Sequence, residues 1–195
     1  MKLLSFMQRV STGKVVLALI IPAIIVYFIM VLYTIPQVSA YAPGINLFDL
    51  SLTGYSFEYA VKLLDTLGSE GRELYLYRQL PLDFIYPGLF AVSCSLLLSW
   101  LFQKTHETNS RLFYFCYIPV AAGLFDYFDN IFIVSILTSY PNVSEVSISL
   151  ASTMTIVKSV LTTAVFLLLM IGVILNLKKN RRHLVPKVVD HDARR

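Results

Sequence analysis

Four long, mostly apolar stretches set the terms for this chain: residues 15–35, 82–102, 112–137 and 153–177. A helix of about 20 apolar residues, rising about 1.5 Å per residue, matches the hydrocarbon thickness of a bilayer. The runs are continuous and do not alternate with polar positions, so helices are favoured over a β-barrel. Pro22, Pro87 and Pro119 fall inside the runs, which membrane helices tolerate when neighbours satisfy the freed carbonyls. Composition agrees. The 195 residues are 56% hydrophobic and 14% charged, where a soluble domain is about 45–50% apolar and about 25% charged. The sequence therefore predicts an all-α integral membrane protein, a single four-helix transmembrane domain spanning residues 1–195.

Basic residues set the expected orientation. Lys2, Arg9 and Lys14 precede the first run, and Lys104 and Arg111 separate the second and third. Lys178, Lys179, Arg181, Arg182, Lys187, Arg194 and Arg195 follow the fourth, in a tail over residues 178–195. The positive-inside rule then puts both the N- and C-termini in the cytoplasm. The net charge of +4 is a topology signal, and no folded basic face points to nucleic acid as a partner. Val38-Ser39-Ala40 has the small residues of a cleavage site. The apolar run before it exceeds the about 7–15 residues of a signal h-region, so the expectation is an uncleaved anchor. Cys94 and Cys116 lie in separate runs without ligand spacing and read as packing side chains.

The first outer loop, residues 36–81, is long and carries one or two short amphipathic helices. Phe57, Ala60, Val61, Leu64 and Leu67 recur at helical spacing, with Ser56 as N-cap and Gly68 as stop. A second helix is expected over residues 70–79, ending before Pro81. Tyr75, Tyr77 and Tyr86 suit the headgroup level on this side, and Trp100, Phe113 and Tyr114 on the other. A polar, serine-rich loop is expected over residues 138–152.

Ionisable residues inside the runs are the candidate site. Each costs about 2.5–3.5 kcal/mol near the bilayer centre on insertion scales. Asp126, Asp129 and Asn130 stand at i, i+3 and i+4, so they share a helix face. Lys158 heads a stripe with Thr155, Ser159 and Thr162 on the last span, and Asp83 starts the second. Asp126 falls near the membrane centre and Asp129, Lys158 and Asp83 in the outer half, so the two stripes are expected to face each other. An ion pair at 4 Å in an effective dielectric of 20 is worth about 4 kcal/mol. That offsets one lysine and one aspartate, and leaves the second carboxylate to a proton or to Arg72 or Arg78 from the loop.

Two stretches have the look of motifs: Gly68-Ser69-Glu70-Gly71-Arg72-Glu73-Leu74-Tyr75 with Pro81 to Pro87, and Gly123-Leu124-Phe125-Asp126-Tyr127-Phe128-Asp129-Asn130. With the four runs and the long first loop, they resemble an uncharacterised group of small bacterial inner-membrane proteins. The resemblance covers most of the chain and implies an inner-membrane location. It brings no known activity. It implies only that Arg72, Tyr75, Asp83, Asp126 and Asn130 work together.

Several chemistries lack their residues. His106, His183 and His191 lie away from the aspartates and no H-E-x-x-H occurs, which argues against zinc. No phosphate-binding glycine pattern and no arginine ladder occur either. No metal and no cofactor are expected, and no catalytic residue is assigned. The leading reading is a polar pocket, covered by the first outer loop, that binds a small amphiphile or lipid headgroup or carries a proton. In it Asp126 and Asp129 are acceptors, Lys158 is their counter-ion, Asn130 is an orienting amide and Arg72 contacts an anionic group. Two rivals remain: an enzyme using aspartate acid–base chemistry on a lipid-phase substrate, and an accessory subunit with a membrane protein partner, where the polar cluster is interhelical glue.

Overall fold

The structure, a computed structural model, describes the backbone of residues 2–105 and 111–184, and the side chains of 4–105 and 111–179. His106, Lys187, His191, Arg194 and Arg195, and the side chains of Lys2, Arg181, Arg182 and His183, lie outside the described residues. Among the described residues there are helices and no strands. The elements are α1 (Lys2–Val10), α2 (Gly13–Ile29), α3 (Ile35–Ser39), α4 (Phe57–Leu74), α5 (Leu80–Thr105), α6 (Ile118–Ser139) and α7 (Glu145–Leu184). Four helical stretches among the described residues are long and apolar enough to cross a membrane: Gly13–Ser39, Phe57–Thr105, Arg111–Ser139 and Glu145–Lys179.

Proline shapes three of these stretches. Pro36 and Pro81 each follow a wide π turn, Met30–Thr34 and Tyr75–Gln79. In each turn a backbone N–H reaches five residues back, Ile35 to Met30 O and Leu80 to Tyr75 O. One extra residue in the ring gives the backbone room just before a ring that cannot donate. The two π turns meet, because Thr34 Oγ1 donates to Gln79 Oε1 in a buried contact. Pro119 acts differently. It sits in the first turn of α6, where its missing N–H costs nothing. The expected helix from residue 112 therefore begins as a 3-10 turn, Arg111–Tyr117, and turns α-helical only at Ile118.

The four long stretches are unequal. The two ending in α5 and α6 bury much more of their length than those containing α2 and α7, so α5 and α6 form the centre. They pack tightly at Gly123, where an added Cβ would stand 2.8 Å from Pro87 O and 2.9 Å from the Ala91 Cβ. The last helix is longer than the 153–177 run. At 40 residues it extends about 60 Å, twice the hydrocarbon depth. Its first two turns take up most of the expected loop at 138–152.

At the basic end, α1 packs on the end of α5. Gln103 Nε2 donates to Gln8 O at 3.0 Å, Met7 is buried beside Leu98, Phe102 and Phe113, and Trp100 covers Gly13. Phe113 is fully buried, not at the headgroup level expected for it. Its ring packs edge-on against Phe102, which removes it from any interface. Cys94 and Cys116 are buried and free in separate clusters.

At the opposite end, residues 38–67 fold over the ends of α6 and α7. Val38, Leu47, Phe48, Leu63, Leu64 and Leu67 form one core with Ile133, Ile136, Ile148 and Ala151. The Ser56 side chain caps α4 by accepting from Tyr59 N at 3.2 Å. Gly68, at φ +63 and ψ −175, ends one helical segment, so α4 is two helices meeting at a kink, as the glycine stop predicts. Residues 70–79 do not end before Pro81, however. They run through the π turn directly into α5.

Candidate functional site

The polar side chains are assembled by the antiparallel register of α6 and α7. Moving three residues along α6 from Asp129 to Asp126 matches three residues along α7 from Thr155 to Lys158. Thr155 Oγ1 donates to Asp129 Oδ1 at 2.8 Å, and Lys158 Nζ donates to Asp126 Oδ1 at 2.7 Å. The same ammonium stands 2.6 Å from Asp129 Oδ2. Asp129 and Thr155 are fully buried, and the Lys158 side chain is 11% exposed. One lysine thus bridges two carboxylates one helical turn apart on its neighbour.

Asn130 serves another helix. Its Nδ2 donates to the backbone oxygen of Asp83 at 2.7 Å. Pro87 has no N–H to give the carbonyl four residues before it, and that carbonyl belongs to Asp83. The amide, expected as an orienting group of the cluster, is therefore a replacement donor for α5. Asp83 is 4% exposed, and its Oδ2 has no hydrogen-bond partner among the described residues.

A fourth carboxylate comes from the loop. Asp49 lies on the 3-10 turn Phe48–Leu50, its Oδ2 accepts from Tyr75 Oη at 2.7 Å, and its Oδ1 stands 4.0 Å from Lys158 Nζ. Tyr75, expected at the headgroup level, is fully buried, stacked on Phe48 with centroids 6.3 Å apart. Asp49 has no helical periodicity around it. The only hint in the sequence is an acid between apolar neighbours, Leu47-Phe48-Asp49-Leu50. The loop is held on α7 by Tyr55 N donating to Ser152 Oγ at 2.8 Å. Burial pushes the Tyr55 phenol well above the usual tyrosine range, with the Asp129 charge adding to the shift.

Arg72, expected to cap this cluster, is elsewhere. Its Nη1 donates to Leu64 O at 2.7 Å across the Gly68 break, and its guanidinium lies 4.3 Å from the Tyr140 ring centroid. The break at Gly68 supplies the reason, since it leaves the end of a helical segment that needs a donor. Arg78 is exposed.

Beside the cluster lies a cavity of about 770 Å³ walled by α2, α5 and α7. Its walls are mostly apolar: Ile20, Ala23, Ile24, Tyr27 and Met30 on one side, Tyr86, Phe90, Cys94 and Leu97 on another, and Phe166 on α7. Its polar end is formed by Asp49, Asp83, Asp126 and Lys158, continued down α7 by Ser159, Thr162 and Thr163. Ile24 and Phe166 stand 47% and 57% exposed, so the cavity opens sideways between α2 and α7. No group of three or more His, Cys, Asp or Glu suited to a metal ion is found among the described residues. With one cation already paired, the arrangement can hold a polar head while burying an apolar body. No protein-family model matches the chain, and neither a curated protein nor a solved structure matches it.

Proposed function

We propose that this protein resides in a bacterial inner membrane with both termini in the cytoplasm, and binds one amphiphile from the lipid phase. The apolar body lies between α2, α5 and α7. The head reaches Asp49, Asp83, Asp126 and Lys158, beneath the loop that ends in α4. The single observation that supports this reading is the cavity itself. Its volume of about 770 Å³ is within the range of about 300–1,000 Å³ typical of small-molecule sites, and few polar groups converge on an otherwise apolar wall. The opening between α2 and α7 gives a lipid-phase molecule a route in.

The rival reading, interhelical glue, draws support from the Asn130 and Asp129–Thr155 contacts, which tie three helices together. It does not account for Asp83 and Asp49, whose carboxylates reach the cavity end and keep an oxygen without a donor.

The test uses the full chain purified in a nonionic detergent, with native mass spectrometry of bound lipid. Ala23 lines the cavity and is buried, so Ala23→Phe fills it from the α2 side. The expected outcome is about one retained amphiphile per wild-type chain and none in the variant, with unchanged helix content. Equal retention in both proteins would sink the proposal.

A further inference from the structure

Among the described residues, the head end of the cavity holds carboxylate oxygens that no hydrogen-bond donor reaches. Lys158 is committed to Asp126 and Asp129 at 2.7 and 2.6 Å. Thr155 serves the other oxygen of Asp129, and Tyr75 one oxygen of Asp49. That leaves Asp83 Oδ2 and Asp49 Oδ1 without a hydrogen-bond donor among the described residues, the latter with only Lys158 at 4.0 Å. Asp83 is 4% exposed, the Asp49 side chain 10%, and both residues line the cavity. The terminal torsion of an aspartate is broad and close to two-fold, so turning either oxygen toward an occupant costs little.

Head chemistry follows from this imbalance. Among the described residues, Lys158 is the only lysine or arginine lining the cavity, against Asp49, Asp83 and Asp126, with Asp129 bound to the same ammonium. An anionic head adds to the surplus of negative charge, and buried like charges repel. A hydroxyl head brings a single donor and no charge. An ammonium brings three donors and a positive charge, and charge-assisted hydrogen bonds are about twice as strong as neutral ones.

We infer that the head received at the end of the cavity is a primary ammonium on a long-chain amphiphile, held between Asp83 and Asp49. This rests on the amphiphile-binding reading above and names the class of ligand. The ammonium lies beside the Lys158–Asp126 pair and completes the hydrogen bonding of the two free carboxylate oxygens. The alkyl chain runs along Tyr86 and Phe90 toward Leu97.

The experiment is a binding titration of the full chain in nonionic detergent with three probes of one chain length: hexadecylamine, hexadecanol and palmitic acid. The amine is expected to bind about tenfold or more tighter than the alcohol, the size of effect a charged donor gives over a neutral one. Palmitic acid is expected to bind weakest. Asp83→Asn and, separately, Asp49→Asn are expected to remove most of the amine's advantage over the alcohol, bringing the two affinities together. Amine and alcohol binding equally to the wild-type protein overturns the head assignment and leaves the amphiphile reading standing. An amine preference that survives in both variants overturns it too. Failure of all three probes to bind takes down the amphiphile reading and the head assignment with it. The wild-type comparison decides the matter even if one variant does not fold.

Discussion

Asn130 Nδ2 lies 2.7 Å from the main-chain oxygen of Asp83, the carbonyl that Pro87 leaves without its helical donor. The packing of α5 on α6 makes the contact possible. Gly123 seats against Pro87, and two helical turns further along α6 Asn130 arrives opposite Asp83, one turn before the proline. A close approach of two helices thus allows one side chain to repair the fault the proline makes.

That relationship predicts coupling between two positions. Asn130→Ala leaves a buried carbonyl unpaired and is expected to cost about 1–3 kcal/mol. In a Pro87→Ala background a backbone N–H is restored to Asp83 O, so the same change should cost much less. A double-mutant cycle on thermal unfolding in detergent checks this. Additive costs would mean that the amide acts on something other than the proline gap.

Lys158 is predicted to be the most damaging single polar removal. Lys158→Met strands Asp126 and Asp129 without their shared ammonium, and breaking a buried pair from one side costs about 3–5 kcal/mol. Neutralising the acids as well, with Asp126→Asn and Asp129→Asn, should recover most of the loss. Unfolding midpoints of the single and triple variants, measured side by side, test this. A triple variant no more stable than Lys158→Met alone contradicts it.

Gly54 is predicted to control the loop that delivers Asp49. Its φ is +84, and an added Cβ would sit 2.7 Å from both Ser152 Oγ and the Ile156 side chain. Gly54→Ala should therefore lift the loop off α7, at about 1–3 kcal/mol for the combined strain and clash. Limited proteolysis between residues 42 and 56 should quicken while the long helices stay intact. Unchanged cleavage would show that the seat on α7 is not required.

Tyr140 is predicted to titrate late. It donates a hydrogen bond to Asp65, which raises its phenol above the ordinary value of 10.0. A proton held more tightly in the folded chain favours folding fully below the ordinary value. That contribution fades as pH rises beyond 10 toward the raised value. Ultraviolet titration of tyrosinate absorbance should show one late phenol missing from Tyr140→Phe. Identical alkaline curves for the two proteins would contradict the assignment.

Hydropathy and the cost of burying charge made much of this protein legible before any coordinates. Long apolar runs leave a helix as the economical way to satisfy the backbone, so the middle parts of α2, α5, α6 and α7 follow from the sequence, though not the added turns at both ends of α7 or the 3-10 start before α6. The i, i+3 spacing of Asp126 and Asp129 and the position of Lys158 in a polar stripe are also local facts, dictated by helical periodicity. What periodicity cannot reach is any contact whose partners are joined by irregular chain or by a neighbour's backbone. Asp49 enters through a 3-10 turn in a loop, Asn130 turns to α5 because a proline there has freed a carbonyl, and Arg72 is drawn off to the helix break at Gly68. The cavity is a relation among three helices that are far apart in sequence, and only their packing creates it. The runs and their charges were settled residue by residue along the chain, whereas tertiary structure decided which carboxylates share the lysine and which keep an oxygen free.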